Sequence, residues 1–147
     1  MTASLPRVLL VDPTMRDRLK VMALLTTVAD VQTPEPSDDP VRVVRHQRFS
    51  VVLVALPRLA ARRGLSLCRT LKTDGSSPPL VGILDPWRRL EDVSQAIQES
   101  MADGYLGGRV DGPVVEAFLS ALLDGQRPIH TLEPAPRSIW GRLRGGF

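Results

Sequence analysis

Few side chains in this 147-residue chain could do chemistry, and they do not fall into a catalytic spacing. Two aspartates stand where apolar runs end: Asp12 closes 7–12 (RVLLVD), and Asp85 follows 80–84 (LVGIL). Between them lies the most apolar stretch, 49–57 (FSVVLVALP). Its unbroken run at 51–54 reads as a strand buried on both faces, at the centre of a parallel sheet. In such sheets ligands gather at the carboxyl ends of the strands. The residue at that end here is Ala55, a methyl group where a nucleophile or metal ligand would be useful. Two carboxylates alone supply too few oxygens for a magnesium site.

The remaining reactive side chains point to packing rather than catalysis. Cys68 is the only cysteine, so it has neither a disulfide partner nor a CxxC mate, and Leu67 and Leu71 place it on the buried side of a helix. His46 and His130 lie in different segments with no cysteine nearby, which gives no zinc set. Gly104, Gly107 and Gly108 form a loose cluster without a GxGxxG or Walker spacing, and backbone turning accounts for them. The residues therefore predict no catalytic group, no metal and no cofactor.

The elements that must position these residues alternate. Strand 7–12 leads to an amphipathic helix at 14–27, with Thr14 as its cap and Asp17 in its first turn. A short strand at 29–33, a Pro-rich loop at 34–40 and a helix at 41–47 precede the central strand 50–55. A third helix spans 64–74, and strand 80–84 follows a loop of small residues. Trp87, Leu90, Val93, Ile97 and Met101 share one face of a fourth helix at 87–101, with Asp85 as its capping acid. Strand 104–107 comes next. A fifth helix opened by Gly112 and Pro113 turns Val115, Phe118, Leu119 and Leu122 inward and ends at Gly125. This alternation predicts an α/β fold: a flavodoxin-like, doubly wound sheet of five parallel strands with five helices, plus a C-terminal extension. The predicted organisation is a domain over 1–125 and a tail over 126–147.

Charge separates the same two parts. Residues 1–125 are balanced, whereas Arg127, Arg137, Arg142 and Arg144 against Glu133 give the tail the whole net charge of +3. A basic face on the folded part, the usual mark of a DNA-binding domain, is not indicated. No apolar run approaches the roughly 20 residues that span a bilayer. The N-terminal MTASLPR lacks a signal-peptide pattern, so a cytoplasmic protein is expected. In the tail, Pro128, Pro134 and Pro136 make 126–137 an extended linker. Ile139, Trp140 and Leu143 then fall beside Arg142 and Arg144, before the terminal Phe147. So short a segment cannot hold a helix alone in water. Its apolar side chains must pack back on the domain, meet a membrane surface or dock on a partner, where aromatic and arginine clusters act as hot spots.

The order and wording of RVLLVD, VVLVA, GLSLCRTLK and ADGYLGG resemble the receiver domains of bacterial response regulators, the CheY-like family, over about 1–125. The resemblance implies an acidic pair holding magnesium after strand one and a phosphoacceptor aspartate after strand three. It also implies a Thr or Ser closing strand four and a Lys-Pro after strand five. Carried over, Asp12 matches the first acid but Pro13 stands at the second; the phosphoacceptor position falls on Ala55, the Thr/Ser position on Leu84 or Asp85, the lysine on Gly108 and the proline on Arg109. Tyr105 matches an aromatic residue that swings between inward and outward states in that family; with no phosphoacceptor, ordinary static packing is the expectation for it over a working switch. VLLVDPT also resembles the first motif of haloacid-dehalogenase-type phosphatases, but Thr14 stands where that motif has its second aspartate.

The expectation is a pseudo-receiver: a non-enzymatic, phosphorylation-independent signalling adaptor of a bacterial pathway. It would bind protein partners, or a second copy of itself, through the face formed by the fourth helix, fifth strand and fifth helix, including Trp87, Tyr105 and Arg109. The tail would add a second contact. The alternatives are a small ligand or anion held between Asp12 and Asp85, and DNA contact through the basic tail.

Overall fold

The computed structural model describes residues 5–12, 18–35, 37–57, 59–75, 78–86, 90–108 and 111–131. In chain order the elements are β1 (Arg7–Val11), α1 (Arg18–Leu25), β2 (Asp30–Gln32), α2 (Pro40–His46), β3 (Val51–Ala55) and α3 (Ala61–Thr73). They continue with β4 (Leu80–Asp85), α4 (Val93–Ser100), β5 (Gly104–Gly107), α5 (Gly112–Leu123) and β6 (Ile129–Thr131). The strands form one sheet in the order β2-β1-β3-β4-β5-β6, every neighbouring pair parallel. The predicted α/β architecture is present, with its five strands and five helices in the predicted order.

Side-chain alternation along the strands divides the core into two layers. Val8, Leu10, Val51, Leu53, Leu84 and Leu106 pack with Val21 and Leu25 of α1 and with Val115, Phe118, Leu119 and Leu122 of α5. Leu9, Val11, Val52, Val54, Val81, Ile83 and Tyr105 point the other way, against Cys68 and Leu71 of α3, with the valines of α2 and Val93 and Ile97 of α4 at the margin. Every residue of β3 is buried, because helices cover both of its faces.

Three helices begin at an aspartate whose carboxylate takes a first-turn N–H. Asp39 accepts from Val41, Asp92 from Gln95 and Asp111 from Val114, each at 3.0 Å. Asp92 corrects the fourth helix, predicted over 87–101: α4 starts at Val93 with Asp92 as its cap, and Asp85 is not the cap. Leu90, which continues the apolar spacing, lies before the helix. Met101, predicted on the shared apolar face of that helix, is its left-handed C-cap residue and is exposed. The start of the first predicted helix, with Thr14 and Asp17, lies outside the described residues.

The sheet also extends past the predicted domain boundary. Residues 129–131, read from sequence as linker, form β6 on the outer edge of β5, with Tyr105 N–H donating to the Pro128 carbonyl at 2.9 Å. His130 meets the ring of Phe118 edge-on at 6.1 Å. An uncovered β5 would leave a row of unpaired backbone groups, and the chain leaving α5 satisfies them. Three residues between prolines carry too little alternation to signal a strand, which is why sequence reading missed it.

Candidate functional site

Strand register brings the predicted pocket together at the carboxyl edge of the sheet. Val11 pairs with Val54, so Asp12 follows β1 at the level of Ala55 on β3. Ala55 pairs with Leu84, and Asp85 pairs with Gly107, next to Gly108. Asp12, Ala55, Leu84, Asp85 and Gly108 thus line one edge across four adjacent strands. Pro13, Trp87 and Arg109 lie outside the described residues, as do Ile139, Trp140, Arg142, Leu143, Arg144 and Phe147.

The β1–β3 half of this edge carries little chemistry. Ala55 is 9% exposed and belongs to the same apolar cluster as Leu53, Leu84 and Leu106. Asp12 is half-buried. The β4–β5 half is built differently. Asp85 is fully buried, and its Oδ2 accepts from the Tyr105 hydroxyl at 2.7 Å and from Leu90 N–H at 3.2 Å. A buried carboxylate is tolerated only when hydrogen bonds replace the water it has lost. Tyr105, expected on the partner-binding surface with static packing favoured over a switch, is 1% exposed. Its hydroxyl finds a strong acceptor inside, so the ring turns in. Sequence reading took Asp85 and Tyr105 separately. The signal that could have joined them is parity: an acid ending one strand and a tyrosine two residues before the end of the next project on the same face.

The residues do not fit the magnesium and phosphoryl group that the sequence resemblance implies. A hard cation needs several oxygen ligands. Ala55 offers none, Asp85 is committed to Tyr105 and Leu90, and the described residues contain no group of three or more His, Cys, Asp or Glu placed to hold a metal. At the lysine position, Gly108 has φ +102, a left-handed conformation that lysine rarely adopts; its N–H donates to the Asp85 carbonyl at 2.9 Å. His46, on α2, and His130, on β6, belong to separate elements. Burial pushes the Cys68 thiol up to about 12, which keeps it protonated and unreactive near neutral pH.

No protein-family model and no curated protein matches the chain. Solved structures do. A response regulator, ChrA, of a heme-sensing two-component system superposes with a TM-score of 0.61 at 22% identity, over 97% of this chain and 67% of ChrA. A CheY-like response regulator receiver domain from Methylobacillus flagellatus gives a TM-score of 0.65 at 18% identity, over 81% of this chain and 99% of that domain. The fold is that of a response-regulator receiver. A third receiver-fold relative, the Thermotoga maritima OmpR/PhoB homologue DrrB, has a TM-score of 0.62 at 20% identity. This chain spans 82% of its own length in that match but only 54% of DrrB. Among the described residues of this receiver fold, no helix is long and apolar enough to cross a membrane.

Proposed function

We propose that this chain is a pseudo-receiver, a receiver fold that takes up no phosphoryl group and acts in bacterial signalling as a non-enzymatic adaptor between protein partners. The observation that carries the reading is Ala55. Aspartyl phosphorylation needs a carboxylate nucleophile beside a hard cation, and the end of the central strand presents a methyl group packed among leucines. The left-handed Gly108 and the committed Asp85 support the same conclusion.

With no phosphoacceptor at the end of β3, function falls to surfaces. The side built from α4, β5 and α5 is the proposed partner face, and β6 belongs to it because β6 covers β5. The remaining tail is the proposed second contact, and the cytoplasm the proposed compartment. The engagement of Asp85 by Tyr105 and Leu90 argues against a ligand held between Asp12 and Asp85.

The test is affinity capture from native lysate with the full chain and with a chain ending after Thr131, which keeps β6. Each is run with and without magnesium and beryllofluoride, a phosphoryl mimic. The reading predicts the same partner in the same yield under both conditions. A partner retained only with beryllofluoride, or no partner in any arm, overturns it.

A further inference from the structure

Tyr105 is the only tyrosine in the chain, and its surroundings hold the ring from two sides. From one side, the Asp85 carboxylate takes the phenol hydrogen at 2.7 Å. The same oxygen takes Leu90 N–H at 3.2 Å, so one buried atom ties β5 to the chain that leads into α4. From the other side, the ring lies over the bare α-carbon of Gly107. A Cβ built at 107 would stand 2.5 Å from the Tyr105 hydroxyl oxygen, 2.7 Å from Cε1 and 2.8 Å from Cζ. Real Cβ atoms essentially never show such separations, so any residue but glycine at 107 would evict the ring or shift the backbone.

We infer that Asp85 and Gly107 form a lock that holds Tyr105 inward whatever is present at the carboxyl edge of the sheet, and that the lock ties Leu90, ahead of α4, to the end of β4. The inward seat is specified twice, once by an acceptor and once by a space. Turning the ring out would deprive a fully buried carboxylate of a hydrogen bond where water does not readily replace it. It would also expose one of the largest fully buried side chains of the core. Minor conformers of two-state proteins are commonly populated at about 0.1–10%; the outward ring belongs at the low end of that range. The ring is then not a switch responding to a modification but a fixed part of the β4–β5 corner. A partner reading that corner meets one shape.

The single tyrosine makes the claim measurable in the full chain. Labelled with 3-fluorotyrosine, the protein should give one fluorine resonance, unmoved by magnesium and beryllofluoride, and nitration of Tyr105 by tetranitromethane should be slow. Asp85→Leu removes the acceptor while keeping the site filled, and Gly107→Ala removes the space. Either should bring up a resonance at the solvent-exposed position and speed nitration about a hundredfold, the factor for a shift from about 0.1% to about 10% outward. Asp85→Asn, which retains an acceptor oxygen, should restore most of the protection. Circular dichroism checks that each variant is folded, and should one fail to fold, the other variant and the unmodified protein still decide. Two resonances in the unmodified protein, a line that moves with beryllofluoride, or folded Leu and Ala variants that leave the line in place would overturn the lock. Phosphoryl uptake would sink the pseudo-receiver reading but leave a single unmoved resonance intact, so the two failures are distinguishable.

Discussion

The two halves of the carboxyl edge, both built from parallel strands of one sheet, carry opposite solutions. On the β1–β3 side, Ala55 is one more apolar side chain in the layer of Leu53 and Leu84. On the β4–β5 side, Asp85, Tyr105 and Gly107 make a bonded, fully buried corner. The end of β3 has been absorbed into the core. The β4–β5 corner keeps a polar group inside the protein and supplies its hydrogen-bond partners. One sheet thus carries an apolar strand end and a bonded polar corner side by side, so the end of β3 can lose its chemistry while the end of β4 keeps a specific structure.

If both halves ride on one cooperative core, the largest effect should come from beneath them. Phe118→Ala, at the centre of the α5 layer and in contact with His130 of β6, should lower stability by about 3–5 kcal/mol. Chemical denaturation should still show a single transition, and two transitions would split the comparison into independent units. The halves themselves should then differ. Asp85→Ala strands the Tyr105 hydroxyl and Leu90 N–H and should cost about 1–3 kcal/mol. Ala55→Gly should cost only the general penalty of glycine in a strand, about 0.5–1 kcal/mol. Equal costs would erase the contrast.

Cys68 lies in the buried layer beneath the sheet, outside both halves. Burial raises its folded pKa from 9.0 to about 12, so the folded state holds the proton more tightly than the unfolded chain. That contribution is complete below about pH 9 and is lost as pH climbs toward 12. Relative to Cys68→Ala, stability should fall by roughly 1 kcal/mol over the first pH unit above 9. The smallest effect belongs to the exposed pair of Arg45 and Asp74 at 2.7 Å. Its hydrogen bond raises the Arg45 pKa, yet Arg45→Ala should leave the melting temperature nearly unchanged, and any difference should vanish in high salt.

Much of this architecture was legible in the sequence because its signals are local. The β-branched run of β3, the helical spacing of Cys68 and Leu71, and the inward set from Val115 to Leu122 each report burial directly. The start of α4 was misplaced because Trp87 and Leu90 happen to continue the apolar spacing, whereas the helix is set by the Asp92 carboxylate. β6 was missed because its existence depends on the open edge of β5, a property of the sheet and not of residues 129–131. The site was half legible. The absence of a nucleophile at Ala55 could be read from strand order alone. The pairing of Asp85 with Tyr105 needed the register of β4 against β5 across twenty residues of sequence; parity along the two strands puts both on one face, but only the register makes them neighbours.

The most direct test of the pseudo-receiver reading is intact-mass spectrometry of the purified full chain after incubation with acetyl phosphate and magnesium, read before and after mild alkaline treatment that cleaves acyl phosphates. The account predicts a single unmodified mass in every sample. A species heavier by one phosphoryl group that disappears on alkaline treatment would contradict it, because an aspartyl phosphate would then form in a receiver fold whose central strand ends in Ala55.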